Sequence, residues 1–207
     1  MAGACSFCAC YCIYSTMIEF KLKRTAIRLD FSFFAVLALF FWLDSDGFGL
    51  IALAVCAAHE LAHLVVMAAC GIIPESITFY GAGIRITAPD TELCSYGVQA
   101  AVYSAGCVMN FALAIILAQA GCDRASAVSL FTGCFNLIPV GEFDGRRLIR
   151  LFLLSHARPE NLDMLTFVIG VVCAALLGIL MMLFGWGASP TLIITAAYII
   201  VMSMRQM

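Results

Sequence analysis

The feature that most limits this chain is a series of apolar runs, several of them long enough to cross a bilayer. They lie at Phe31–Leu43, Phe48–Cys70, Val98–Ala120, Ala125–Val140, Thr166–Trp186 and Thr191–Met204. Runs of that length read as membrane-spanning helices. The first, fourth and sixth are short for a hydrocarbon core of about 30 Å, which implies tilt or local unwinding. Turn signals separate the runs, among them the segments starting at Asp44, Gly121 and Gly185.

Composition supports the same reading. Of 207 residues, 64% are hydrophobic and 12% charged, against about 45–50% and about 25% in soluble domains. A domain of this length cannot hide so much apolar surface from water. A net charge of −2 without a basic patch argues against nucleic acid as a partner. The expected fold class is an all-α integral membrane protein of about six transmembrane helices. With the amino terminus in the cytosol, the inner segments hold Lys21, Lys23, Arg24, Arg28, Arg85, Arg146, Arg147, Arg150, Arg158 and Arg205, and the outer loops only Arg124. That positive-inside bias predicts a multi-pass protein with both termini cytoplasmic.

One stretch breaks the helical pattern. Residues 77–87 set β-branched and aromatic side chains on either side of Gly81-Ala-Gly83, which reads as a short β-hairpin between the second and third spans. On an inner loop it is either a soluble connector or a re-entrant piece. The amino-terminal residues 1–25 read as an extension, Cys-rich and then basic, ahead of a membrane domain over 26–207 with its core at 47–150. Met17 is a second candidate start, the basic stretch from Lys21 to Arg28 leading into the first span. No secretory signal is convincing, because no positive charge precedes the first apolar segment. Cys5, Cys8, Cys10 and Cys12 cluster there without a second ligand group at zinc-finger spacing.

Inside the second run stands His59-Glu60-Leu61-Ala62-His63. Positions i and i+4 share a helix face, so both imidazoles can reach one ion, with the intervening glutamate as general base. The alternative is that these polar groups glue helices together. Ionisable groups within a span are expensive, however, and functional by default. Counted from Phe48, His59 and His63 lie about 16 Å and about 22 Å along a helix rising 1.5 Å per residue. That depth is inside the membrane, nearer the cytosolic face.

A catalytic zinc takes three protein ligands and one open position. His156 is the remaining histidine of the chain's three and lies among Arg and Ser in an inner loop. Asp44 and Asp46 stand at the wrong end of the span, and Glu75, Asp90 and Glu92 have no accompanying pattern. The best third ligand is Asp144, in Asn136-Leu-Ile-Pro139-Val-Gly-Glu142-Phe-Asp144-Gly145, with Glu142 as its rival. Pro139 and Gly141 unwind the chain there and present Asp144 at a depth compatible with His63.

His-Glu-x-x-His in one span and Asn-x-x-Pro-x-x-x-x-Asp-Gly at the end of a later one resemble the site-2 protease family of intramembrane zinc metalloproteases. Gly106-Cys107-Val-Met-Asn110 is similar to that family's Gly-Pro-x-x-Asn helix, with cysteine where proline is usual. The segment from Phe20 resembles the stage IV sporulation protease branch. Glu142, where proline or an apolar residue is frequent, and Arg146, in place of a second glycine, are departures. The resemblance implies one Zn²⁺ held by His59, His63 and Asp144, Glu60 as the catalytic base and Asn136 as a substrate-orienting donor. It also implies a membrane-associated hairpin at residues 77–87; if that hairpin, turning at Gly81-Ala-Gly83, has an open edge, the edge can hold an unwound substrate strand by β-addition. The implied substrate is a transmembrane segment of another membrane protein, in a bacterial cell membrane, with regulatory membrane proteins as further partners. No PDZ or CBS domain is expected. The alternative class is a metal or ion transporter, or a non-proteolytic metal-binding membrane protein.

Overall fold

The computed structural model describes residues 17–44, 47–81, 83–139 and 143–154, with a few positions between 164 and 172. The described residues fall into two compact units, one within 1–43 and 74–88, the other within 44–73 and 89–207.

The first unit holds strands β1 (Met17–Leu22), β2 (Thr25–Asp30), β3 (Ser76–Tyr80) and β4 (Gly83–Thr87), and helix α1 (Phe31–Leu43). The strands form one sheet in the order β1-β2-β3-β4, with β2 and β3 parallel and the other pairs antiparallel. Strictly alternating residues build two opposite faces. Registered partners place Ile18, Phe20, Ile27, Leu29, Ile77, Phe79, Ile84 and Ile86 on one face, and Glu19, Arg28, Thr78 and Arg85 on the other. Helix α1 meets the apolar face where Phe33 packs edge-on against Phe79 at 5.4 Å between ring centres. Asp30 Oδ1 caps that helix by accepting the Ser32 amide at 2.8 Å.

The expectation of an all-α protein carrying one short hairpin is therefore corrected to a mostly helical chain with a four-stranded mixed sheet. The hairpin at residues 77–87 is β3–β4, but it adds to a second hairpin, β1–β2. The basic residues read as a lead-in to the first span are part of that alternation: Glu19 and Lys21 interleave with Ile18, Phe20 and Leu22. Lys23, at φ +57°, sits in the two-residue turn.

The second unit contains α2 (Phe48–Ala69), a 3₁₀ turn (Pro89–Leu93), α3 (Tyr96–Gln119), α4 (Asp123–Asn136) and α5 (Asp144–Leu154). Helices α2 and α3, of 22 and 24 residues, are long and apolar enough to cross a membrane. Only 28% of the apolar window of each is buried, whereas the core helix of a soluble domain would be mostly covered. Helices α1 and α4, with 13 and 14 residues, span only about 20 Å each. Six transmembrane helices are thus not shown: the fifth and sixth runs lie almost wholly outside the described residues.

Asp44 starts α2 by accepting the amides of Phe48 and Gly49 at 2.9 and 2.8 Å. Helix α4 is tied to α3 by hydroxyl donors: Ser126 Oγ to the Ala114 carbonyl at 2.7 Å and Ser129 Oγ to the Asn110 carbonyl at 2.8 Å. Such bonds hold helices together where no hydrophobic effect can. Helix α4 ends at Asn136, and Pro139 follows soon after, as expected of a residue that cannot continue a helix.

Candidate metal centre

Helix α2 carries His59 and His63 on the face turned to α3, and Asp144 arrives as the first residue of α5. His59 Nε2 lies 3.0 Å from Asp144 Oδ2, His63 Nε2 lies 3.1 Å from the same oxygen, and the two nitrogens are 3.2 Å apart. All three residues are buried. Ligands about 2.0–2.1 Å from a tetrahedral zinc sit about 3.3 Å from one another, so a triangle of this size would fit one ion.

Two further observations support that fit. His63 Nδ1 donates to the Val102 carbonyl at 2.7 Å, which leaves Nε2 as the ring's lone-pair nitrogen. And Gly106 of α3 faces the triangle: a Cβ built there would fall on His59 Nε2 and His63 Nε2. The missing side chain is the space an ion needs. His59, His63 and Asp144 thus form a group that could hold a metal.

Asp144 is fixed by its neighbour. A Cβ on Gly145 would collide with the Leu137 carbonyl, so the Asp-Gly pair lets the end of α4 pass directly over the start of α5. Burial pushes the Asp144 carboxyl up, but hydrogen bonds from the two histidines when their rings are protonated, and the charge those rings then carry, outweigh that and hold it at about 2. It is ionised and ready to ligate. Cys107, 2% exposed, donates its thiol to Asp144 Oδ2 at 3.7 Å.

The other candidates fall elsewhere. Glu60 is half-buried on α2 beside the ligands. Asn136 donates Nδ2 to the Thr132 carbonyl of its own helix at 3.0 Å. Asp44 accepts two first-turn amides of α2, and Asp90 and Glu92 are exposed on the 3₁₀ turn. Glu142, His156, Asp46 and the cluster from Cys5 to Cys12 lie outside the described residues. Two partners of the site were given no role by the sequence, although Asn110 stands in the Gly106-Cys107-Val-Met-Asn110 motif. One is the Val102 main chain; the other is Asn110, whose amide lies 3.0 Å from His59 Nδ1. The four-residue spacing Val102, Gly106, Asn110 was the available clue, since it puts all three on one face of α3.

No family model matches the chain. "Putative zinc metalloprotease Rip3", from the Erdman and H37Rv strains of Mycobacterium tuberculosis, is 32% identical over 131 residues, covering 56% of this chain and 33% of the relative. The chain thus spans about a third of the length of the curated relatives it matches. Among solved structures, the site-2 protease from Methanocaldococcus jannaschii superposes with a TM-score of 0.64 at 19% identity, covering 92% of this chain and 94% of that one. The fold of the chain is that of this site-2 protease.

Proposed function

We propose that this chain is a zinc-dependent intramembrane endopeptidase that cleaves transmembrane segments of other proteins. The observation that carries the reading is the His59–His63–Asp144 triangle with Gly106 leaving its centre clear. Zinc bound there would polarise the scissile carbonyl and acidify a water.

The chain's own residues supply the rest. Glu60 neighbours His59 on α2 and takes the proton of the attacking water on its carboxylate, then passes it to the leaving amine. Asp144 and the two imidazoles hold the centre in fixed geometry, and the apolar surroundings keep bulk water away. Asn136 orients substrate once its amide leaves the Thr132 carbonyl. A substrate helix must first unwind, because its peptide carbonyls are already hydrogen-bonded. Strand β4 has a single neighbour in the sheet, and its other edge offers backbone groups to an extended segment. The positive-inside bias supports a multi-pass orientation with both termini in the cytosol of a bacterial cell, and substrates and regulators that are themselves membrane proteins.

The test uses a tagged single-span substrate coexpressed with variants. Glu60→Gln should keep zinc and lower cleavage by about 10²–10⁴-fold, whereas Asp144→Ala should lose both. Normal cleavage by Glu60→Gln would reject the mechanism. Metal-dependent ion flux without any cut protein would favour a transporter instead.

A further inference from the structure

The two imidazoles are held from behind by different kinds of group. Behind His63 is a main-chain carbonyl, which can only accept, so its tautomer is settled. Behind His59 is the side-chain amide of Asn110, which can do either. Asn110 is 0% exposed. With Nδ2 facing His59 Nδ1 at 3.0 Å, the amide donates to a bare nitrogen. The His59 proton then sits on Nε2, directed at Asp144 Oδ2, and blocks that atom as a ligand. In the same orientation Asn110 Oδ1 is buried without a hydrogen-bond partner.

Amide oxygen and nitrogen are nearly the same size, so a half-turn about the last side-chain bond exchanges them without repacking. Oδ1 then accepts from His59 Nδ1–H, and Nε2 is free to bind. We infer that Asn110 is the positioning residue for His59, its amide oxygen selecting the tautomer in which Nε2 ligates the metal. The inference rests on the metal reading above. Its surroundings hold the side chain in place for this. Ser129 Oγ donates to the Asn110 carbonyl, and a Cβ on Gly133 would stand 3.2 Å from Asn110 Cβ, so α4 closes tightly over the residue.

The experiment measures zinc affinity of the full chain in detergent, by competition with a chromophoric chelator. Asn110→Leu keeps the size and removes the acceptor; Asn110→Asp keeps an acceptor oxygen. Loss of an outer partner of this kind typically costs 10–100-fold in metal affinity. Asn110→Leu should therefore bind zinc about 10–100-fold more weakly, with Asn110→Asp within a few-fold of wild type. Wild-type affinity in Asn110→Leu, or an equal loss in Asn110→Asp, overturns the inference.

A second measurement avoids any variant that fails to fold. In ¹⁵N-histidine-labelled wild-type protein loaded with zinc, His59 should carry its proton on Nδ1, protected from exchange. A proton on Nε2 instead would overturn the assignment. Wild-type protein that binds no zinc at all rejects the metal reading and this inference with it. Tight wild-type binding that Asn110→Leu leaves unchanged rejects the inference alone.

Discussion

The long helices of the helical unit bury polar groups in their midst, whereas the sheet unit spreads them over one outer face. In the helical unit Asn110 and Ser129 are 0% exposed, while Val108, Ile115 and Ile116 stand 60–61% exposed. In the sheet unit Ile18, Phe20 and Leu22 are exposed along one edge of the apolar face, and Arg28 pairs with Glu19 on the other. A chain packed in water buries its large apolar side chains first. Lipid removes that drive and instead makes every unpaired polar group costly. The helices obey the second rule, and the two-faced sheet suits a boundary between the two solvents. The difference teaches that the candidate metal centre lies where the buried polar contacts of the helices gather.

The strongest way to break that contrast is to fill its centre. Gly106→Ala should abolish stoichiometric zinc binding, because the new methyl occupies the ion's place. Cleavage should drop to background. Gly97→Ala on the same helix meets nothing within 4 Å and should keep full zinc, since alanine in a helix is, if anything, favourable by about 1 kcal/mol. Zinc content by atomic absorption in purified protein decides it. Equal zinc in both variants would show that the ion does not sit against α3.

A smaller effect tests the solvent on the outside. Val108→Asp should destabilise the inserted protein by about 2.5–3.5 kcal/mol if that position faces lipid, but by less than about 0.5 kcal/mol if it faces water. In the sheet unit, Thr78→Asp lies in register between Arg28 and Arg85 and should be tolerated. Unfolding in mixed micelles compares the pair. Equal tolerance at both sites would erase the distinction between the units.

Much of the helical unit was legible because its signals are local. The limits of α1 and the start of α2 coincide with apolar runs, and the positions of His59 and His63 follow from a four-residue spacing on one helix. What was not legible depends on distant partners or on ambiguous residues. Lys21 and Arg28 satisfy two patterns at once, the charged flank of a span and the polar face of a strand, and only pairing decides between them. That pairing is remote, as Ile27 meets Ile77 and Leu29 meets Phe79 in the parallel register. The same holds at the metal centre. Asn110 stands in a motif that the sequence displays, but its role stays open until His59, 51 positions away, is placed against it.

Acid should separate the metal from the fold of the cluster. Ligating imidazoles must be neutral, so zinc leaves as pH drops. The Asp144 carboxyl is held at about 2, below its ordinary 3.8. Its contribution to stability is fully present above 3.8 and is lost only as pH falls towards about 2. Chelator-detected zinc release should therefore run to completion at a pH where the helical circular dichroism is intact. Loss of both signals at one midpoint would mean that the ion, and not the polar contacts among the helices, holds this unit together.

The smallest expected effect concerns the start of α2, the helix that carries both histidines. Asp44 accepts two otherwise unpaired amides there, and Asp44→Ala should cost about 1 kcal/mol, as for other lost helix caps. His59 is eleven residues beyond Phe48, the first residue of α2, about 16 Å along the axis at 1.5 Å per residue. Fraying of the first turn should therefore lower the unfolding midpoint while leaving zinc affinity within about twofold. A matching loss of zinc would show that the centre depends on the whole length of α2. It would then not be a local assembly of α2, α3 and α5, and the contrast between the two units would have to be redrawn.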